Sequence, residues 1–188
     1  TNELFRLQYN AETGAYRLYS MASNSGTNRM LTVYTSTTGL VYGSRNVRLE
    51  DLSDHSELSQ DWMIVSNDGT TFRLLPRSNM SVCLTVNGDT AGTSSGTGTG
   101  TAGNVCVKTV DTNSDYQLWW LIKNDGEGNI YTSEYSPATL DNGLYYFINR
   151  YSGRYLYQNG SNAMSTRGFI TDTRTDNNVS STSASQYQ

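Results

Sequence analysis

Gln60-Asp61-Trp62-Met63-Ile64-Val65 and Gln117-Leu118-Trp119-Trp120-Leu121-Ile122 decide how this chain is read. Each is Gln-x-Trp running into a short apolar segment, and the two lie 57 positions apart. The same interval counted back from Trp62 reaches Phe5, inside Leu4-Phe5-Arg6-Leu7. The next Gln-x-aromatic forward is Gln186-Tyr187-Gln188. Self-similarity at a fixed period is the signature of a fold assembled from repeats.

Other landmarks keep the phase. A turn follows each anchor segment: Glu12-Thr13-Gly14, Asn67-Asp68-Gly69 and Asp141-Asn142-Gly143. Asp-Gly and Asn-Gly between apolar segments are hairpin signals, because these residues tolerate positive φ. Second strands are expected at Tyr16–Leu18, Phe72–Leu74 and Tyr145–Ile148. Third strands follow at Met30–Val33, Cys83–Val86 and Tyr155–Gln158, and fourth strands at Asn46–Leu49, Asn104–Val107 and Gly168–Thr171. No segment carries a 3.6-residue apolar period, and Ser, Thr, Asn and Gly fill the gaps. The expectation is an all-β chain of twelve short strands, one domain over 1–188, in three repeats of about 1–59, 60–116 and 117–188. Closing such strands into a barrel removes exposed sheet edges. Trp62 and Trp119 read as core anchors, each with a Gln able to hydrogen-bond turn backbone. Two insertions break the symmetry: the Thr/Ser/Gly-rich stretch Thr90–Gly103 and the segment Asn129–Leu140.

Composition narrows the function. Of 188 residues, 82 are Thr, Ser, Asn or Gly, and only 16% are charged, so the surface is largely neutral and hydrogen-bonding. The net charge is −4 and no Lys/Arg cluster is present, which argues against nucleic acid as a partner. The densest apolar run, Leu118–Ile122, is five residues, far short of the ~18 expected of a membrane-spanning helix. The sequence starts without Met or a leader, as expected of a mature or excised segment. One His and two Cys make a His/Cys zinc cage a poor reading, and no cofactor or metal is expected.

The pattern resembles the ricin-type β-trefoil lectins and carbohydrate-binding modules. The residues that carry the likeness are the two Gln-x-Trp elements, Leu31-Thr32-Val33, Leu84-Thr85-Val86, Asn24-Ser25-Gly26 and Tyr151-Ser152-Gly153-Arg154. The resemblance implies a β-trefoil. It also implies up to three shallow galactose-type sites, each with an Asp in the third strand, an aromatic after the fourth and an Asn before Gln-x-Trp. Here those positions read Thr32, Thr85 and Tyr157; Glu50, Lys108 and Asp172; and Ser59, Tyr116 and Ser185. Galactose recognition in the family's manner is therefore not carried over. Related lectins often join the third and fourth strands by a disulfide. Cys83 and Cys106 are the candidates here, with buried thiols as the open alternative.

Tyr rings among neutral hydroxyl and amide groups suit neutral glycans, which are bound by stacking and many hydrogen bonds. The preferred carbohydrate-binding candidates are Tyr157, Asn159 and Asp172 in the third repeat. Tyr34, Tyr42 and Glu50 are the candidates in the first. Other constellations read as ordinary structure. Asp51, Asp54, Glu57 and Asp61 around His55 read as a solvated acidic loop, and Asn124–Asn129 as a hairpin tip without a full calcium ladder. Thr97–Gly100 lacks the Gly-Lys-Ser/Thr of a phosphate loop. The expected function is a non-catalytic, lectin-like module of a secreted or cell-surface protein. Its partners would be glycans or a glycoprotein, with a partner domain in a larger chain. The alternative is a protein-interaction trefoil, a proteinase inhibitor or toxin-targeting domain that has lost sugar binding.

Overall fold

A computed structural model of the chain describes residues 2–22, 29–34, 44–51, 57–66, 68–88, 103–124, 140–159 and 163–167. Twelve strands form among them: β1 Leu4–Asn10, β2 Ala15–Ser20, β3 Met30–Val33, β4 Arg45–Glu50, β5 Trp62–Ser66, β6 Phe72–Pro76, β7 Val82–Val86, β8 Val105–Thr109, β9 Trp119–Lys123, β10 Gly143–Asn149, β11 Tyr155–Asn159 and β12 Ala163–Arg167. Two short 3-10 turns, Glu57–Ser59 and Asp115–Gln117, precede β5 and β9. In β1, Phe5 and Leu7 are buried while Arg6 and Gln8 are exposed, the two-residue alternation of a strand with one face on a core.

Six strands close on themselves. β1 pairs with β2, β2 with β5, β5 with β6, β6 with β9, β9 with β10, and β10 returns to β1. The other six form the hairpins β3–β4, β7–β8 and β11–β12, which join one another through β4–β8 and β12–β4. A six-stranded barrel capped by three hairpins, one set per repeat, is the β-trefoil.

The anchors sit where the repeat places them. Trp62 and Trp119 are fully buried, and their indole N–H groups donate to the carbonyls of Leu31 (2.8 Å) and Leu84 (3.1 Å), equivalent residues of β3 and β7. Phe5, equally buried, takes the third anchor position, its ring edge-on to Phe147 at 6.0 Å. The two glutamines brace backbone. Gln117 donates to the Thr109 carbonyl and accepts from the Asp111 amide, both at 2.8 Å. Gln60 donates to the Asp51 carbonyl at 3.1 Å and to the Thr32 hydroxyl at 3.2 Å.

One sequence expectation changes, one lies outside the described residues, and one left open is answered by the geometry. The last strand among the described residues runs over Ala163–Arg167, with Asn159 opposite Ala163 and Tyr155 opposite Arg167; the strand expected at 168–171 lies outside the described residues. Asn159-Gly160 is itself a turn signal, in keeping with Asn159 pairing back onto Ala163. Asp61 does not belong to a solvated acidic loop. It is 1% exposed and held by Arg17 (2.8 Å) and Arg77 (3.1 Å). The third concerns the cysteines, whose disulfide state the sequence left open. Cys83 and Cys106 are buried and not bridged to each other. Cys83 faces Lys108 and Cys106 faces Thr85, so the two are diagonal across the ladder. Diagonal neighbours lie ~7–8 Å apart, beyond the ~4.4–6.8 Å that a disulfide spans. Burial pushes the thiols up to about 12 and about 11 respectively.

The β5–β6 turn shows how local chemistry fixes a hairpin. Gly69 has φ +76°. The Asp68 carboxylate accepts from the Thr71 hydroxyl (2.6 Å), the Thr71 amide (2.7 Å) and the Thr70 amide (3.0 Å). Desolvation pushes its pKa up, but these donors outweigh it and pull the carboxyl down to about 2. A folded-state pKa below the unfolded value means that the native protein binds fewer protons. Asp68 therefore contributes stability above pH ~4, and the contribution is lost as pH falls towards 2. In urea unfolding, Asp68→Asn is expected to be less stable than wild type at pH 7 and nearly level with it at pH 2. A gap of equal size at both pH values would show that the carboxylate charge is not what the turn uses.

Candidate functional site

The first repeat closes its lectin-equivalent positions. Thr32 and Ser59 are fully buried; Thr32 donates to the Met30 carbonyl at 2.9 Å and accepts from Gln60. Glu50, 8% exposed, forms an ion pair with Arg48, whose guanidinium lies over the Tyr34 ring at 4.3 Å. Tyr34 is about half exposed, so this repeat presents a covered ring above a packed interior. Tyr42 lies outside the described residues.

In the third repeat Tyr157 is half-buried on β11. Its hydroxyl accepts from the Asn2 side chain at 3.3 Å, and Asn2 also takes the Gln158 amide on its carbonyl at 2.9 Å. The start of the described chain thus lies against the position where the lectin pattern has its Asp. Asn159 ends β11, and Asp172 lies outside the described residues. Register sharpens the comparison. Met30 pairs with Glu50, Cys83 with Lys108 and Tyr155 with Arg167. Arg167 is therefore the third repeat's counterpart of Glu50 and Lys108 in register.

The second repeat is open. Thr85, Lys108 and Tyr116, its residues at the three lectin positions, line one cleft of about 530 Å³ together with Ser44, Asn87, Asp111 and Ser114. That volume falls within the ~300–1,000 Å³ of small-molecule sites. Three features of the sequence build it. β7 and β8 pair in register from Val82↔Thr109 to Val86↔Val105, which fixes Thr85 and Lys108 on the wall. Gln117 pins the segment after β8 through its bonds to Thr109 and Asp111. Asp111 then caps its own turn, accepting from the Asn113 amide at 2.9 Å, and the chain enters the Asp115–Gln117 turn that presents Tyr116. Gly88, which also lines the cleft, has φ +83°, and a Cβ there would meet nothing within 4 Å, so its backbone conformation rather than crowding favours glycine.

The wall offers donors, acceptors and a ring. Lys108 Nζ donates to Asn87 Oδ1 at 2.8 Å, which leaves two of the ammonium's three N–H groups for the cleft. Thr85 is only 4% exposed and forms the floor, its hydroxyl donating to the Cys83 carbonyl at 2.8 Å. Asp111 and Lys108 balance each other in charge. Tyr116 stacks obliquely on Tyr151, with ring centroids 4.1 Å apart. Such a wall can hold hydroxyl-rich, uncharged molecules by many moderate contacts. Sequence reasoning set these residues aside because their chemistry departs from the lectin pattern. The available signal was positional: Tyr116 directly precedes Gln117, where the family has its Asn.

No family model matches the chain, and no curated protein does. Among solved structures it is similar to ThreeFoil, a designed 3-fold symmetric protein, at 22% identity and a TM-score of 0.51, covering 88% of this chain and 94% of that one. It also aligns with a mosquitocidal holotoxin at 13% identity and a TM-score of 0.42, over 87% of this chain and 22% of the toxin's length. The likeness to the designed threefold protein agrees with the trefoil traced from the strand pairings.

Proposed function

We propose that this chain is a non-catalytic carbohydrate-binding module of a secreted or cell-surface protein, taking neutral glycans in the cleft of its second repeat. The supporting observation is that Thr85, Lys108 and Tyr116, equivalent to the lectin positions, converge on one open cleft whose chemistry is hydroxyl, amide and phenol with balanced charge. A single shallow site of this kind is weak, so useful affinity comes from a tethered partner domain or several copies of the module.

A glycan array probed at high protein density tests the reading. The expected result is a set of neutral-glycan signals competed by soluble sugar and weakened by about tenfold in Tyr116→Ala, the scale of one lost aromatic contact. Circular dichroism verifies that each variant is folded. A blank array from folded protein overturns the reading in favour of a protein-interaction trefoil.

A further inference from the structure

A second open cleft, of about 460 Å³, adjoins the first; Asp68, Thr71, Asp115, Trp120, Arg150 and Tyr151 line it. The boundary between the two is thin. Tyr116 lines one cleft and Tyr151 the other, and their rings are stacked 4.1 Å apart at an interplanar angle of 38°. Ser114 of the first cleft directly precedes Asp115 of the second. Tyr151 is 49% exposed, whereas the anchor rings Trp62 and Trp119 are fully buried. An exposed ring stacked on a second ring, between two polar clefts, serves no core.

Adjoining polar clefts joined by an aromatic pair match a chain of sugar rings. Their apolar faces lie on aromatic plates, and their hydroxyls meet the polar walls on either side. The charges narrow the chain further. The second cleft sets Asp68 and Asp115 against Arg150, which lies 3.9 Å from Asp115, and the first sets Asp111 against Lys108. Carboxylates outnumber cations across the pair, which disfavours an acidic chain. Resting on the glycan-binding reading, we infer that the two clefts form one extended site. It holds a neutral oligosaccharide of two or more residues, with the Tyr116–Tyr151 pair as the shared platform.

The test is an array carrying mono- to hexasaccharides of the common neutral hexoses and pentoses beside sialylated and sulfated chains. Titration calorimetry follows on the neutral ladder that responds. Affinity is expected to rise about tenfold or more from one unit to the longer oligomers, with sulfated and sialylated chains silent. In Tyr151→Ala the ratio of oligomer to monomer affinity is expected to collapse to near one. If every spot is blank while the protein is folded, the glycan reading itself fails. If sugars bind with no dependence on length, or if the gain with length survives in Tyr151→Ala, the extended site is overturned and the single cleft stands. Preference for sulfated or sialylated chains overturns the neutral-chain assignment.

Discussion

Asp61→Ala is expected to lose about 3 kcal/mol of stability, seen as a lower urea midpoint at an unchanged m-value. Asp61 is the middle residue of the first Gln-x-Trp and is 1% exposed. Its two carboxylate oxygens are divided between Arg17 Nε on β2 and Arg77 Nη1 just past β6, and its carbonyl accepts the Arg77 amide at 2.9 Å. One buried carboxylate thus ties β2, β5 and the end of β6 together. Truncating it leaves two guanidinium groups close together with their shared counter-charge gone. Breaking a buried pair costs ~3–5 kcal/mol. The low end is expected here because the Arg17 and Arg77 side chains retain 17% and 29% of their exposure and can be partly rehydrated. Asp61→Asn keeps an acceptor but not the charge, and should fall between. In an Arg17→Met, Arg77→Met background the same Asp61→Ala change should cost clearly less, because the charges it orphans are gone. A loss below ~1 kcal/mol in the wild-type background, the scale of an exposed pair, would show that the triad adds little to the barrel.

The burial of Asp61 shows which parts of this molecule its sequence discloses. The Trp anchors, the Leu-Thr-Val strands and the Gly turns are local patterns repeated in phase, and local patterns are what a sequence displays. Asp61 is charged and sits near other acids, so it reads as solvated. Its partners lie 44 and 16 positions away, and only the β2–β5 and β5–β6 pairings bring them to it. Strand β12 is hard to read for a related reason. Ala163–Arg167 is largely polar and has no apolar run to mark it, and the signal ahead of it is the turn residue pair Asn159-Gly160. At the candidate site, Thr85, Lys108 and Tyr116 stand at the positions that the lectin resemblance marks but carry different chemistry. Residue identity alone therefore does not single them out. The Tyr116–Tyr151 stack joins two repeats and depends on the β9–β10 pairing, as Asn149 shows by donating to the Tyr116 and Leu118 carbonyls at 2.9 and 3.2 Å. No local motif announces a contact of that kind.

Trp62→Ala and Trp119→Ala are each expected to cost about 4 kcal/mol, within the ~3–5 kcal/mol of large aromatic truncations in close-packed cores. The informative variants are the Phe ones. Trp62→Phe and Trp119→Phe keep most of the ring but remove the indole N–H that reaches Leu31 or Leu84. A buried carbonyl that loses its donor costs ~1–3 kcal/mol, and the smaller ring leaves a void as well, so about 2 kcal/mol is expected for each. The first repeat already carries Phe at this position. There Phe147 packs edge-on against Phe5 at 6.0 Å, filling space with a second ring rather than with an indole. Phe5→Trp should therefore destabilise the protein by forcing a larger ring against Phe147, although it would place Trp at the anchor position of all three repeats. Urea unfolding of the three variants decides between two accounts of the anchors. If Trp→Phe is close to neutral in the second and third repeats and Phe5→Trp stabilises, the anchors act by volume alone and the threefold pattern is the optimum. If both directions destabilise, each repeat has been packed to its own anchor, and the indole-to-carbonyl bonds are part of what holds β3 and β7 against the barrel.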